Sequence, residues 1–168
     1  MSGPLTSEAL EPLYEPWEEP DKHRVRGAKK GDPAIVKEQR RPSPIDIVQN
    51  LRAALRIWRE SFYVGASETS RRLLEHWFGR PHRKTTPSGD DYQFQYYFCQ
   101  REAIETLIFL KEARGIDRLS QLIEEFGGAN KTVAALGIKD DEDAWTRYAF
   151  KLATGAGKPK CMSLAIAW

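Results

Sequence analysis

Toward the C-terminal end of the sequence, Thr154, Gly155, Ala156, Gly157 and Lys158 follow one another directly. Two glycines and a lysine at this spacing suit an anion. Glycine lets the backbone approach closely and take positive φ without a Cβ clash. Successive N–H groups at a helix N-terminus carry partial positive charge and can cradle a phosphate chain. Lys158 adds a point charge that can reach terminal phosphates. The flanks agree with that chemistry. Tyr148, Ala149, Phe150 and Leu152 form a short apolar run before the turn, and Cys161, Met162, Leu164, Ala165, Ile166 and Ala167 form a helix-prone run after it. This order predicts a strand over residues 147–152, a glycine turn, and a helix. A glycine pair before a helix is also the composition of an ordinary turn, so that alternative stays open.

The full phosphate-loop pattern G-x-x-x-x-G-K-[S/T] calls for a glycine where Leu152 stands and a hydroxyl where Pro159 stands. The second departure matters more. A hydroxyl there would hold a nucleotide's magnesium, and the backbone N–H would help bind phosphate; proline supplies neither. Its fixed φ nevertheless suits the first turn of a helix, so the backbone shape is compatible with it.

Even so, the run A-T-G-A-G-K resembles motif I of superfamily-two helicases and translocases, in which the first glycine is often missing. Upstream, Phe98-Cys99-Gln100-Arg101-Glu102-Ala103 resembles the glutamine motif of the same superfamily. From about Asp21 onward the chain is similar to the N-terminal part of a DEAD/DEAH-box restriction-enzyme helicase subunit, close to the type III restriction (Res) family. The resemblance implies an α/β fold, with an N-terminal helical region followed by the beginning of a RecA-like P-loop domain. It implies that Gln100 reads an adenine edge and that Thr154, Gly155, Ala156, Gly157 and Lys158 hold phosphates. ATP and magnesium are the cofactors of the intact family; with Pro159 in place, their binding is expected to be weak or absent. Double-stranded DNA is the implied partner, with a methyltransferase subunit as a further candidate.

The family also needs an Asp-Glu-x-His motif, later coupling motifs, an arginine finger from a second lobe, and a nuclease domain. None stands in this sequence. Phosphoryl transfer depends on positioned metal, water and cation together. The expectation is therefore an inactive N-terminal section, a truncated product, with no catalytic residue of its own. The interval between Gln100 and the glycine turn is longer than in compact helicases and implies an insertion.

The elements that would position these residues can be read from patterning. The chain has 168 residues, 40% hydrophobic and 30% charged, with a net charge of +2, which is enough for one core. No apolar run approaches the roughly 18 residues of a membrane span, and the acidic, proline-rich N-terminus is unlike a signal peptide. Cys99 and Cys161 are isolated, without ligand spacing or a disulfide framework, so a reduced cytoplasm is the default. His23, His76 and His82 form no metal-binding pattern.

Residues 1–42 hold Pro4, Pro12, Pro16, Pro20, Pro33 and Pro42 without an apolar period, which predicts an extended, irregular arm. Its first part is acidic. Its second is basic through Lys22, Arg24, Arg26, Lys29, Lys30, Lys37, Arg40 and Arg41, and either a solvated tail or a nucleic-acid contact accounts for that.

Residues 43–90 predict a helical hairpin and a polar, basic loop over Arg80–Asp90, for which either solvation or a nucleic-acid backbone contact accounts. Ser43 is the expected first N-cap, and Ile47, Val48, Leu51, Leu55 and Trp58 give the helical spacing. Ser67 is the expected second N-cap, with Gly79 as the stop. Arg52, Arg56 and Arg59 lie toward another face and are candidate phosphate contacts. In residues 91–168, Tyr92, Phe94 and Tyr96 alternate with Gln93 and Gln95 as a short extended segment. Helices are expected from Cys99 to Gly115 and from Ile116 to Phe126, with a further turn at 130–136 and an acidic loop at 140–143. The final helix should expose Leu164, Ile166 and Trp168 in the absence of neighbouring strands.

Two other functions fit the same residues: a non-catalytic nucleotide- or DNA-binding module, and a helical interaction protein with an uninvolved glycine turn.

Overall fold

The computed structural model describes residues 15–25, 35–128, 146 and 148–168. The chain divides into two compact units, Met1–Pro42 and Ser43–Trp168.

In the first unit the described residues form a hairpin rather than an irregular arm. β1 (His23–Val25) pairs antiparallel with β2 (Ile35–Lys37), His23 opposite Lys37. Val25, Ile35 and Val36 are β-branched and suit a pleated ladder. His23 Nδ1 lies 2.7 Å from the Gln39 carbonyl, and Arg40 donates to Glu19 Oε1 at 3.2 Å, tying the hairpin exit to its entrance.

The second unit begins with α1 (Asp46–Glu60), which buries Leu55 and Trp58. The expected cap at Ser43 is displaced, and Ile45 occupies the N-cap position. Ser43 instead shapes the turn before the helix: its Oγ accepts from the Ile45 N–H at 3.1 Å, and its N–H donates to Gln49 Oε1 at 3.0 Å. α2 (Glu68–Phe78) starts at Ser67, whose Oγ accepts from the Ser70 N–H at 3.1 Å, and stops at Gly79. The basic connection that follows is not a plain loop. β3 (His82–Thr85) and β4 (Asp91–Phe94) form a second antiparallel hairpin, so that residues on either side of Asp90 pair with each other.

α3 (Phe98–Ile108) continues into a π-helical turn, Phe109–Ala113, and the chain reverses at Gly115 with φ +63°. α4 (Leu119–Phe126) begins three residues later than the apolar pattern suggests. The Ile116 N–H is bound instead to the Leu110 carbonyl at 2.7 Å, and the helix starts where Gln121 Oε1 accepts from the N–H groups of Asp117 and Arg118. α5 (Lys158–Ala167) closes the chain.

The core gathers Leu55 and Trp58 of α1, Leu74 and Trp77 of α2, Ile104 and Ile108 of α3, then Phe109, Leu110, Ile116, Phe126 and Leu164. Both sheets among the described residues are two-stranded and antiparallel, so the chain is mixed α and β. The strand expected over 147–152 is not formed: residues 148–152 join no ladder, and Arg147 lies outside the described residues. No described strand lies alongside to accept their hydrogen bonds. Tyr148 Oη donates to the Ile116 carbonyl at 2.8 Å, and Phe150 packs on the core.

The expected exposure of the last helix holds for Ile166 and is corrected for Leu164 and Trp168. Leu164 is 3% exposed and Cys161 is buried, while Ile166 is 82% exposed. Trp168 is half-buried, with Nε1 donating to Ser70 Oγ at 2.8 Å. α5 thus finds a helical surface to cover its apolar side where the pattern suggested a missing sheet. The turn expected at 130–136 and the acidic loop at 140–143 lie outside the described residues. No helix among those described is long and apolar enough to cross a membrane.

Candidate functional site

The glycine turn is built as its sequence requires. The Ala156 N–H donates to the Ala153 carbonyl at 3.2 Å, and both Gly155 (φ +82°) and Gly157 (φ +72°) take the left-handed conformation that side chains resist. Gly157 is the N-cap of α5, and Pro159 falls in the first turn, where its missing N–H breaks no helical bond. The first helical hydrogen bond is Lys160 N–H to the Gly157 carbonyl at 2.9 Å. The N–H groups of Gly157 and Lys158 therefore precede the ladder and have no acceptor within the helix. The exposed Lys158 ammonium turns back over the turn to the Ala153 carbonyl at 3.3 Å. Backbone donors and one ammonium at a helix start can hold a small anion.

Gln100, chosen from a separate stretch, meets this turn. It is 4% exposed, in the first turn of α3. Its Oε1 accepts from the Tyr97 N–H at 3.0 Å, and its Nε2 donates to the Ala156 carbonyl at 2.8 Å across 56 residues of sequence. Gly157 makes the approach possible: a Cβ there would stand 2.4 Å from Gln100 Nε2. Both ends of the amide are thus engaged by backbone, and the side chain acts here as a brace for the turn.

No family model, curated protein or solved structure matches this chain.

The residues around the turn fit a phosphate group but not its magnesium. Pro159 occupies the hydroxyl's place, and the described residues contain no cluster of three or more His, Cys, Asp or Glu able to hold a metal.

The three candidate arginines are held differently. Arg59 grips Glu105 with Nε at 3.1 and 3.2 Å and Nη2 at 2.6 Å. Glu105 is wholly buried and also receives Arg101 Nε at 2.7 Å and Tyr63 Oη at 2.8 Å. Arg101 Nη2 returns to Tyr63 Oη at 3.0 Å, closing the network. Arg59 is therefore a structural ion, stacked 5.3 Å from the Phe98 ring centroid. Arg52 sits 3.9 Å from Glu102, and Arg56 is exposed. Opposite charges on α3, invisible in the α1 pattern alone, thus lie against Arg59 and Arg52.

Bringing Tyr63 to Glu105 strains the backbone, since Phe62 and Tyr63 both have positive φ, +56° and +59°. Burial, then the Glu105 charge, pushes the Tyr63 phenol up to about 12. A second network surrounds Glu112 on the π-helical turn. Burial raises its pKa, but hydrogen bonds from Ser70 Oγ (2.7 Å), the Ser67 N–H (2.7 Å) and Trp168 Nε1 (3.2 Å) outweigh that and hold it below its ordinary value.

The sequence reading missed one more arrangement. Lys160, from the start of α5, places its ammonium 5.0 Å from the Phe94 ring centroid, and Lys84 places its own at 4.8 Å. The alternation of Tyr92, Phe94 and Tyr96 was visible in the sequence; that two lysines from distant segments converge on it was not.

Proposed function

We propose that residues 154–158 bind the phosphates of a nucleotide. We further propose that the chain is the N-terminal section of a superfamily-two helicase or translocase subunit of the restriction-enzyme kind. On this reading residues 91–168 correspond to the beginning of a RecA-like lobe. The whole protein acts in the cytoplasm on double-stranded DNA beside a methyltransferase subunit. The supporting observation is the Gln100 to Ala156 hydrogen bond. Two segments far apart in sequence are joined through the one glycine whose missing Cβ admits the contact.

The same geometry limits the activity. No Asp-Glu-x-His motif stands in the sequence and Pro159 offers no magnesium ligand, so nucleotide binding without hydrolysis is the activity assigned to this chain. That is also the non-catalytic module considered from the sequence, and the two differ in what a magnesium ligand would restore.

The test is titration of a fluorescent ATP analogue against wild type, Lys158→Ala, Pro159→Thr and the Pro159→Thr/Lys158→Ala double variant, with and without magnesium. Wild type is expected to bind weakly and without magnesium dependence. Pro159→Thr is expected to gain at least about tenfold in magnesium, the worth of one hydrogen bond to a charged group. Lys158→Ala should abolish binding in either background. A chain that binds no nucleotide in any of these forms is the helical interaction protein instead.

A further inference from the structure

We propose that the β3–β4 hairpin carries a binding face for a single-stranded polynucleotide, with Phe94 as the stacking surface and Lys84 and Lys160 as the phosphate contacts. The proposal concerns side chains other than those of the glycine turn and does not depend on the nucleotide reading.

The pairing register puts His82 opposite Phe94 and Lys84 opposite Tyr92. In a pleated ladder directly paired residues share a face, so His82, Lys84, Tyr92 and Phe94 lie together. Tyr96 extends the aromatic row, its ring centroid 4.9 Å from Phe94 and 5.8 Å from His82. The row is only partly covered: Tyr92 is 46% exposed, and Phe94 and Tyr96 are half-buried. Phe78 supports Tyr96 from behind, edge-on at 5.6 Å, which fixes the row on the core.

Charge decides the occupant. Lys84 and Lys160 approach the Phe94 ring from different segments, and neither meets a carboxylate among the described residues. The two acids of the hairpin are turned elsewhere. Asp91 is bound to Arg83 and Thr85 on the opposite face, which holds its carboxyl below the usual range, and Asp90 accepts from Ser88 in the hairpin turn. Between Tyr148 and Trp168 the chain has Lys151, Lys158 and Lys160 and no acidic side chain. Aromatic faces beside flexible, carboxylate-free ammoniums are complementary to a strand with exposed bases and regularly spaced phosphates. A base that stacks on Phe94 displaces an ammonium from the ring, and the displaced Lys side chain can swing to the adjoining phosphate. A duplex, whose bases are already stacked, offers this face only its phosphates.

The experiment is fluorescence anisotropy of the full chain with a labelled oligo(dT) of about 12 nucleotides, an abasic oligomer of equal length, and a duplex, between about 50 and about 200 mM salt. The expected order is oligo(dT) tighter than either comparison strand. Phe94→Leu keeps the apolar volume and removes the π-face; it should weaken oligo(dT) binding about tenfold and leave the abasic oligomer's binding where it was. Lys84→Gln and Lys160→Gln each remove one positive charge beside the Phe94 ring. Each should flatten the logarithmic salt slope by about 0.7. If Phe94→Leu melts early, the lysine variants and the abasic strand still decide. Equal affinity for oligo(dT) and its abasic counterpart, tighter binding to the duplex, or no binding at the lowest salt would each overturn the proposal.

Discussion

The contact between Gln100 and the glycine turn can be tested by a double-mutant cycle. Gln100→Ala removes two hydrogen bonds, at 3.0 and 2.8 Å. At about 1 kcal/mol net each, the loss is about 2 kcal/mol. Gly157→Ala does two things. It puts a side chain at φ +72°, worth about 1 kcal/mol, and it sets a Cβ 2.4 Å from Gln100 Nε2, which expels the amide and forfeits the same two bonds. Its total is therefore about 3 kcal/mol. Once Gln100 is already alanine, the clash is gone and only the backbone term remains. The double variant should then lose about 3 kcal/mol, where simple addition gives about 5, a coupling of about 2 kcal/mol. Gly155→Ala is the control. Its φ is +82°, but a Cβ there meets nothing within 4 Å, so it should cost about 1 kcal/mol and add to Gln100→Ala within roughly 0.5 kcal/mol. Urea unfolding followed by tryptophan fluorescence suits the measurement, because Trp58 and Trp77 are buried in this unit's core. Should Gly157→Ala prove as additive with Gln100→Ala as Gly155→Ala does, the brace does not exist and the reading of the turn fails with it.

Two further outcomes follow from the Glu105 network. Glu105→Ala leaves Arg59 and Arg101 partly buried without their shared counter-ion and should destabilise the unit by about 3–5 kcal/mol in the same urea experiment; a loss under about 1 kcal/mol, the scale of a surface pair, would mean water already solvates those guanidiniums. Tyr63 makes stability fall at high pH. The phenol deprotonates at about 10 in the unfolded chain and about 12 in the folded one. The unfolded state therefore binds fewer protons through that window, and the contribution present below pH 10 is lost by pH 12. Comparing melting temperature against pH for wild type and Tyr63→Phe isolates this from lysine titration, and the variant should show the shallower decline between 10 and 12.

What the sequence by itself determined was local. Ser67 as a cap, Gly79 and Gly115 as stops, the helical spacing around Leu55 and Trp58, and glycines at Gly155 and Gly157 all follow from short-range sterics and hydrogen bonding, which a linear pattern carries. Pro159 in the first turn of α5 belongs to the same class. The rest depended on partners distant in the chain. Residues 148–152 read as a strand, but a strand forms only against a neighbour, and the described residues supply none. Leu164 was expected at the surface because the strands that would cover it were expected to be absent, and a helical surface covers it instead. That the Arg59 guanidinium meets Glu105, on another helix, could not be read from the α1 pattern. Lys84 and Lys160 meet at Phe94 only because the hairpin and the start of α5 are brought together by folding. Periodicity records which face of an element is apolar; which charge or ring lies opposite that face is decided by long-range packing.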